Sequence, residues 1–485
     1  MSVVSLTTDI DPSYRAVLTS EDTALFDCFT RGRPSVDERM AAGRALRASV
    51  PRRTHARHEG RESGDALAIL ASQCEGRISE LLPLRYARML TSPFAFLRGS
   101  AAVMASDLSA TPLTGLAVAA CGDSHVKNFG VFASAERNLI FGINDFDEVH
   151  PGPWEWDLKR RAASAAVAVR FWGGDDRDAE EAIRRAVNAS REAMHRYAPM
   201  GALQTWYSRI DQKKILAAIP SRWQRVAREI LNTARRHGNI RALEKLTDMV
   251  DGDHRIVERP PVIVRETESE SGSPIQAAIA RVLGGYLASL TEDRRRLISR
   301  YRLVDVARKV VGVGSVGTSC WVVLLEGTGK EDPLFLQVKE ARRSVLSSYV
   351  DMKLPFSHQG RRVVAGQRLI QGSPDIFLGW SHEGPKEFYV RQLADMKGGF
   401  DETARGALRT FAGYAALCGE ALALAHAKSG DAAMIAGYCG KSERLDDALT
   451  LYAHAYADQT ERDHAALMRA RREGRIEARL DEAEA

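Results

Sequence analysis

Residues 304–393 constrain the fold most. Gly312-Val313-Gly314-Ser315-Val316-Gly317 is followed at once by Ser319-Cys320-Trp321-Val322-Val323-Leu324-Leu325, a β-branched and aromatic run that reads as strand. In a dinucleotide-binding fold this glycine spacing opens a helix instead. A glycine loop between two strands brings backbone N–H groups close to phosphate oxygens, and glycine permits that approach; the bland alternative is a plain hairpin. Further strands are expected at 306–311, 320–326, 334–339, 376–380 and 388–393. The third ends in Lys339, a charge that is costly to bury unless paired. Gly312, Gly314 and Gly317 are therefore the candidate phosphate-approaching residues, and Lys339 is a charge at the same sheet in need of a partner. Helices are expected after Lys339 at 341–352 and 361–371; the second holds no acid, and Asp351 or Glu340 is the alternative partner for the lysine.

A second cluster lies far upstream. Within Gly122-Asp123-Ser124-His125-Val126-Lys127-Asn128 an acid and an amide stand five residues apart on one loop, between strands expected at 116–120 and 130–133. Phosphoryl transfer needs a carboxylate to receive the proton of the attacking hydroxyl and hard oxygen ligands for magnesium. Asp123 and Asn128 are of those two types. After a strand at 139–143, Ile143-Asn144-Asp145-Phe146-Asp147-Glu148 supplies further carboxylates, with Asp145 and Asp147 competing for a metal-binding role. Asp157 opens a helix, which it either caps or uses to brace the first loop. The bland alternative is that these are turn acids satisfying backbone donors. A metallophosphoesterase also uses GDxH, but the chain has neither an upstream DxH nor a downstream GNH element.

The rest of the chain frames these clusters. Residues 31–62 are Arg-rich with interspersed acids and read as a solvated helix and loop, so nucleic acid is an unlikely partner. Residues 65–90 follow a helical period until Pro83, and 91–99 read as a loop. Residues 176–300 are mostly helical, with 251–274 a loop crossing that holds a short strand at 262–264. Helix returns at 404–427, and from Thr460 the chain is expected to form an exposed charged helix. Sixty-eight Lys and Arg against 63 Asp and Glu give a net charge of +5, too small for this length to name a partner. The first residues lack the basic and apolar regions of a signal peptide, and no apolar run approaches the ~20 residues that cross a bilayer. Six cysteines, none at CxxC spacing, fit reduced thiols in a cytoplasm, so the expected location is cytoplasmic with no membrane partner.

The motif GDxHxxN, then a strand, an acid and GxPxxxDL, resembles the catalytic and metal loops of aminoglycoside phosphotransferases and related kinases. That resemblance implies Asp123 as catalytic base, with His125 beside it, Asn128 as metal ligand, and Asp145, with Asp147 in competition, as the metal-binding acid. Cys121 departs from it, standing where such motifs usually carry His. Lys339 matches the lysine that holds nucleotide phosphates, and 387–393 matches the segment bordering the adenine. More widely, SPFAFLRGSAAVMASDL, CGDSHVKNFG, INDFDEVHPGPWEWDLKR, VGVGSVGTSCWVVLLEG, GQRLIQGSPDIFLGW and YVRQLADMKG resemble the bacterial family named domain of unknown function 2252. In ordinary kinases the glycine loop precedes the catalytic loop; here the order is reversed. The expected fold is α+β, protein-kinase-like, two-lobed and circularly permuted, with additional helices. Its segments are an N-terminal helical region (1–90), the catalytic and metal loops (91–175), a helical region (176–300), the nucleotide lobe (301–400) and a C-terminal helical region (401–485). The expected cofactors are ATP and Mg²⁺, and the expected activity is phosphoryl transfer to an acceptor left open. A nucleotide-binding regulator without turnover and a nucleotidyl (AMP) transferase are the alternatives.

Overall fold

The computed structural model describes residues 32–221, 224–236, 238–268, 272–352, 357–393, 396–402 and 406–479. Among the described residues the N-terminal part holds the α-helices α1 (Val36–Ala45), α2 (Ser63–Ser72), α3 (Leu82–Leu90), α4 (Pro93–Gly99) and α5 (Ala101–Ser109). Pro83 lies in the first turn of α3, where its missing N–H costs nothing. The expected loop at 91–99 is helix α4. Pro93 stands at its start, and the Ser92 side chain accepts the Ala95 N–H at 3.0 Å. Proline and serine punctuate here as a helix start rather than as a loop.

Four short strands follow: β1 (Ala117–Ala120), β2 (Phe129–Ala133), β3 (Leu139–Ile143) and β4 (His150–Pro153). β1 pairs antiparallel with β4, which the sequence reading missed because prolines and a glycine mask it. β2 pairs with β3, and β3 with a two-residue strand β5 (Ile210–Asp211). Between β4 and β5 run the long helices α6 (Trp154–Phe171) and α7 (Asp176–Tyr197). Residues 202–246 hold four more helices, α8 (Ala202–Tyr207), α9 (Gln212–Ala218), α10 (Gln224–Arg236) and α11 (Asn239–Leu246). A hairpin of β6 (Thr247–Val250) and β7 (Asp253–Ile256) interrupts the region expected to be helical.

Strand β8 (Ile263–Val264), helices α12 (Ile275–Ser289) and α13 (Glu292–Ile298), and strands β9 (Arg302–Lys309), β10 (Cys320–Glu326), β11 (Pro333–Glu340), β12 (Gly379–Glu383) and β13 (Lys386–Gln392) build the main sheet. Its order is β12-β13-β11-β10-β9-β8, antiparallel throughout. Helix α14 (Gln359–Ile370) joins β11 to β12, while the helix expected at 341–352 is only a 3₁₀ turn at Val345–Ser348. Strand alternation sets the two faces. Leu334, Leu336 and Val338 face a core with Val282 and Tyr286 of α12. Phe335 packs with Leu243 and Leu246 of α11, and this face also carries Gln337 and Lys339.

The C-terminal helices α15 (Ala407–Ser429), α16 (Ala432–Cys439) and α17 (Arg444–Arg472) complete the largest core with α6 and α7. The region after Thr460 was expected to be exposed, yet Thr460, Asp463, Ala466 and Leu467 are buried. Asp463 hides there because Arg61 donates to it at 2.6 and 3.2 Å. The Arg-rich stretch forms a largely solvent-facing helix and loop, as expected, and several of its arginines also reach across to α16. Arg47 donates to the Tyr438 carbonyl at 2.8 Å, Arg52 to the Cys439 carbonyl at 2.7 Å, and Arg39 pairs with Asp431 at 3.2 Å. Arg47 and Arg52 satisfy carbonyls at the C-terminal end of α16, and Arg39 holds the Asp431 carboxylate that caps its start. The mixed helix-and-sheet architecture makes this an α+β protein. Among the described residues no helix is long and apolar enough to cross a membrane.

Candidate functional site

Backbone geometry holds the 121–128 loop. Gly122 has φ +77°, and a Cβ there would come within 2.5 Å of the Glu148 carbonyl oxygen, so the left-handed turn and the close approach both need glycine. Asp157, in the first turn of α6, accepts the backbone N–H groups of Cys121 at 2.7 Å and Gly122 at 2.9 Å. His426 of α15 meets the same carboxylate at 3.0 Å. Asp157 thus braces the loop, one of the two roles its position suggested. Ser164 of α6 accepts the Val126 N–H at 2.9 Å.

Three candidate residues project from this loop. Asp123 receives Arg160 Nε at 2.7 Å, an arginine one turn along α6 from Asp157. His125 is buried, with Nε2 3.7 Å from the other Asp123 oxygen. Burial first, and then the positive charges of Arg98 and Arg160, push its pKa well below the usual value and keep the ring neutral. The Asn128 amide nitrogen donates to the Asp123 carbonyl at 2.7 Å, and the Asn128 carbonyl accepts the Asn144 N–H at 2.8 Å. That second bond brings the 121–128 loop against the acid loop after β3.

Asp145 and Asp147 meet Lys339 from the main sheet. Lys339 ion-pairs with Asp147. Tyr389, directly opposite Lys339 across the β11–β13 ladder, donates its hydroxyl to the other Asp147 oxygen at 2.7 Å. Ser315 of the glycine loop reaches Asp147 at 3.3 Å, and the Asp147 N–H donates to Asp145 Oδ1 at 3.2 Å. Burial alone would lower the Lys339 pKa, but Asp145 and Asp147 outweigh it and hold the amine well above its usual value. Burial likewise works to raise Asp147, and Lys339 overrides it and holds the carboxyl low. Asp145 goes the other way: burial and the neighbouring Asp147 charge raise it against the pull of Lys339 and Arg391. The Asp145 carboxylate is therefore short of positive charge, and a cation beside it and Asn128 fits that donor set. Among the described residues no three His, Cys, Asp or Glu side chains form a closed metal cage. Two protein oxygens completed by phosphates and water is the ligation magnesium favours.

The partner of Lys339 was sought on a helix and among Asp351 and Glu340; it is Asp147 of the acid loop. Helix α14 contributes an arginine instead. Arg362 donates to the carbonyls of Val149 at 2.6 Å, Asp147 at 2.8 Å and Arg342 at 2.7 Å, tying the acid loop to the strand that carries the lysine. Arg391 does similar work from β13, donating to Gln337 at 3.0 Å and to the Asn144 carbonyl at 3.0 Å. Sequence reasoning missed Arg160, Arg362, Tyr389 and Arg391. Arg160 alone left a trace, standing three residues after Asp157 on one helix face.

The glycine loop lies between β9 and β10, with φ +66° at Gly312 and +87° at Gly317. It rests on the N-terminal helices: Arg88 donates to the Gly312 carbonyl at 2.8 Å, Arg77 to the Val316 carbonyl at 2.6 Å, and the Ile78 N–H to the Gly317 carbonyl at 2.8 Å. A cleft of about 640 Å³ opens here. Asp123, His125, Asn128, Asp145, Asp147, Gly312 and Gly314 all line it; Gly317 and Lys339 adjoin it through their neighbours and partners. Two segments nearly 200 residues apart in sequence thus share one cavity.

Residues 77–470 match the family model described as "Uncharacterized protein conserved in bacteria (DUF2252)", and the chain belongs to that family. No curated protein matches the chain, and no solved structure matches it.

Proposed function

We propose that this protein is an ATP-dependent phosphotransferase with a permuted, two-lobed, protein-kinase-like fold. The observation that carries the proposal is the meeting of Lys339, Asp147 and Asp145 beside Asp123 in one cleft under a strand-flanked glycine loop. Two features of the fold support it. Strands β9, β10, β11, β13 and β12 with helix α14 between β11 and β12 have the order of the smaller lobe of kinases. The end of α15 abuts the strand that leads into the Asp123 loop, where Ser429 Oγ accepts the Ala119 N–H at 3.0 Å. In an unpermuted kinase that helix runs on into the catalytic loop, so breaking the chain there and joining it elsewhere accounts for the reversed order. This rests on fold analogy joined to site geometry.

In this reading Lys339 holds the nucleotide phosphates, and its pairing with Asp147 fixes its position. Asn128 and Asp145 would hold magnesium, which would supply positive charge to offset that of the phosphates. Asp123 takes the proton of the acceptor hydroxyl; the acceptor oxygen bonds to the γ-phosphorus as the bond to the β–γ bridging oxygen breaks, and ADP leaves. Arg160 orients Asp123 by holding one oxygen and leaving the other toward the cleft. Asp147 spends both oxygens on protein partners, which favours a positioning role for it over metal ligation. The same full pairing is what a nucleotide-binding regulator without turnover would show, and it keeps that second reading alive.

Incubation with γ-labelled and α-labelled ATP, magnesium and a metabolite extract decides between them. Retained γ label is expected, and Asp123→Asn is expected to cut transfer roughly 10²–10⁴-fold while MgATP still raises the melting temperature. Retained α label indicates nucleotidyl transfer. MgATP stabilisation without any label transfer indicates the regulator, and a folded, fully active Asp123→Asn protein removes Asp123 from the chemistry.

A further inference from the structure

The wall of the cleft formed by the N-terminal helices is crowded with arginine. Arg77 follows α2, Arg85 lies on α3, Arg98 on α4, and Arg342 follows β11; all four line the cavity. Among the described residues none of the four has a carboxylate partner. Arg77 donates to the carbonyls of Gln73 at 2.7 Å and Val316 at 2.6 Å, Arg342 to those of Gln73 at 3.3 Å and Glu75, and Arg85 to the Leu70 carbonyl at 3.4 Å and the Cys74 sulfur at 3.3 Å. The Nε atoms of Arg85 and Arg98 are enclosed without a hydrogen-bond partner, and Arg85 is only 1% exposed. The Arg98 side chain makes no hydrogen bond to any described residue, and the charge that attracts it most is Asp123. Burial first, then the charges of Arg85 and Arg342, push the Arg77 pKa down to about 9 against the pull of Glu148.

Burying several guanidinium groups without a counter-charge is expensive. No cleft carboxylate forms an ion pair with any of the four: Asp123 pairs with Arg160 and Asp147 with Lys339. Glu148 accepts the Val345 N–H at 2.7 Å, Glu340 the Ser319 N–H at 2.9 Å, Glu387 the Gln359 N–H at 2.6 Å and Asp145 the Asp147 N–H at 3.2 Å. Glu148 and Asp123 therefore attract Arg77 and Arg98 only at longer range. A carboxylate ligand brings one negative charge. A phosphate group brings about 1.5 to 2 at neutral pH and three acceptor oxygens, and guanidinium groups pair with it in bidentate fashion. We propose that Arg77, Arg85, Arg98 and Arg342 form a subsite for the phosphate of a phosphorylated acceptor, separate from the nucleotide phosphates at Lys339. Seated there, the acceptor lies between the arginine wall and Asp123, with Arg98 reaching toward both. This deepens the phosphotransferase reading and rests on it for the word acceptor; the anion subsite itself does not.

The test is the melting temperature of the full chain in inorganic phosphate, without nucleotide or divalent metal, against sodium acetate and chloride at equal ionic strength. Phosphate is expected to stabilise the wild type saturably and acetate to do so at least tenfold more weakly. Lys339→Met should keep the phosphate response. Arg98→Gln and Arg85→Gln should weaken it at least tenfold, Arg98→Lys should restore part of it, and Arg98→Gln should keep its response to MgATP. Should Arg85→Gln fail to fold, Arg98→Gln still decides, since Arg98 has no hydrogen bonds to lose. A phosphate response that survives both glutamine variants means the arginines only brace the glycine loop, and the subsite is overturned. So does a response that disappears with Lys339→Met, which places the anion at the nucleotide site, and an equal response to acetate overturns the phosphate class. Loss of the MgATP response in the wild type, with the arginine-dependent phosphate response intact, would defeat the nucleotide reading and leave the subsite standing.

Discussion

Lys159 shows what single residues in this core cost. It is fully buried on α6, its Nζ has no hydrogen-bond partner among the described residues, and it lies 4.8 Å from the centre of the Tyr452 ring. Burial pulls its pKa down to about 7 against the attraction of Glu155. A lysine whose folded pKa lies below its unfolded value binds fewer protons when folded. It therefore destabilises the fold below pH 7, and the penalty fades as pH rises from about 7 toward 10. Lys159→Met is expected to raise the melting temperature most at pH 6, and to flatten the rise in stability between pH 6 and 9; thermal unfolding across that range checks it. Glu148 carries the opposite sign. Burial pushes its carboxyl up to about 7, so its penalty is absent below the unfolded value near 4.5 and complete above 7. Glu148→Gln is expected to gain stability at pH 8 relative to pH 5, and an unchanged difference between those two pH values would contradict the assignment.

At the scale of elements, helix α1 depends on two glycines that sequence patterning did not single out. A Cβ on Gly43 would run into the Met434 carbonyl of α16, and a Cβ on Gly437 of α16 would run into the Met40 carbonyl of α1. The two helices therefore cross backbone to backbone, with Arg39 and Asp431 closing the edge of the contact. Gly43→Leu is expected to lift α1 from α16, seen as faster proteolysis within residues 36–60 and a lower melting temperature. The strands were easier to read than this crossing. Cys320–Glu326 and Leu139–Ile143 are bounded by turns and rich in apolar and β-branched residues, so their period and length sufficed. The expected strand at 376–380 begins instead at Gly379, because Asp375 spends its carboxylate on the Phe377 N–H at 2.8 Å and on Gln392. That turn chemistry delays the pairing.

On the scale of the molecule, the question is whether the upstream acid loops and the downstream sheet act as one site. Hydrogen exchange with and without MgATP is expected to show protection of 121–148 and 310–340 together, since the ligand of the proposed function touches both walls. Protection confined to 310–340 would mean that the acid loops take no part. The glycine loop, Lys339 and the oxygen-bearing residues Asp123, Asn128, Asp145 and Asp147 stood out as residue types because the phosphate and magnesium chemistry of the proposed function would demand glycine, a lysine and hard oxygens. The α+β character was legible in the alternation of helical and strand periods. Tertiary structure alone decided how charges pair. Nothing in the order of residues indicates that Lys339 meets Asp147, that Tyr389 stands beside them through ladder register, or that the helix where an acid was sought instead ties down the acid loop through Arg362. Nor does it show that Arg61 buries Asp463 some 400 residues away. Periodicity reports which face of an element is buried; the partner of a buried charge is fixed only when distant elements pack, because its energy depends on separations of a few ångströms that no local pattern encodes.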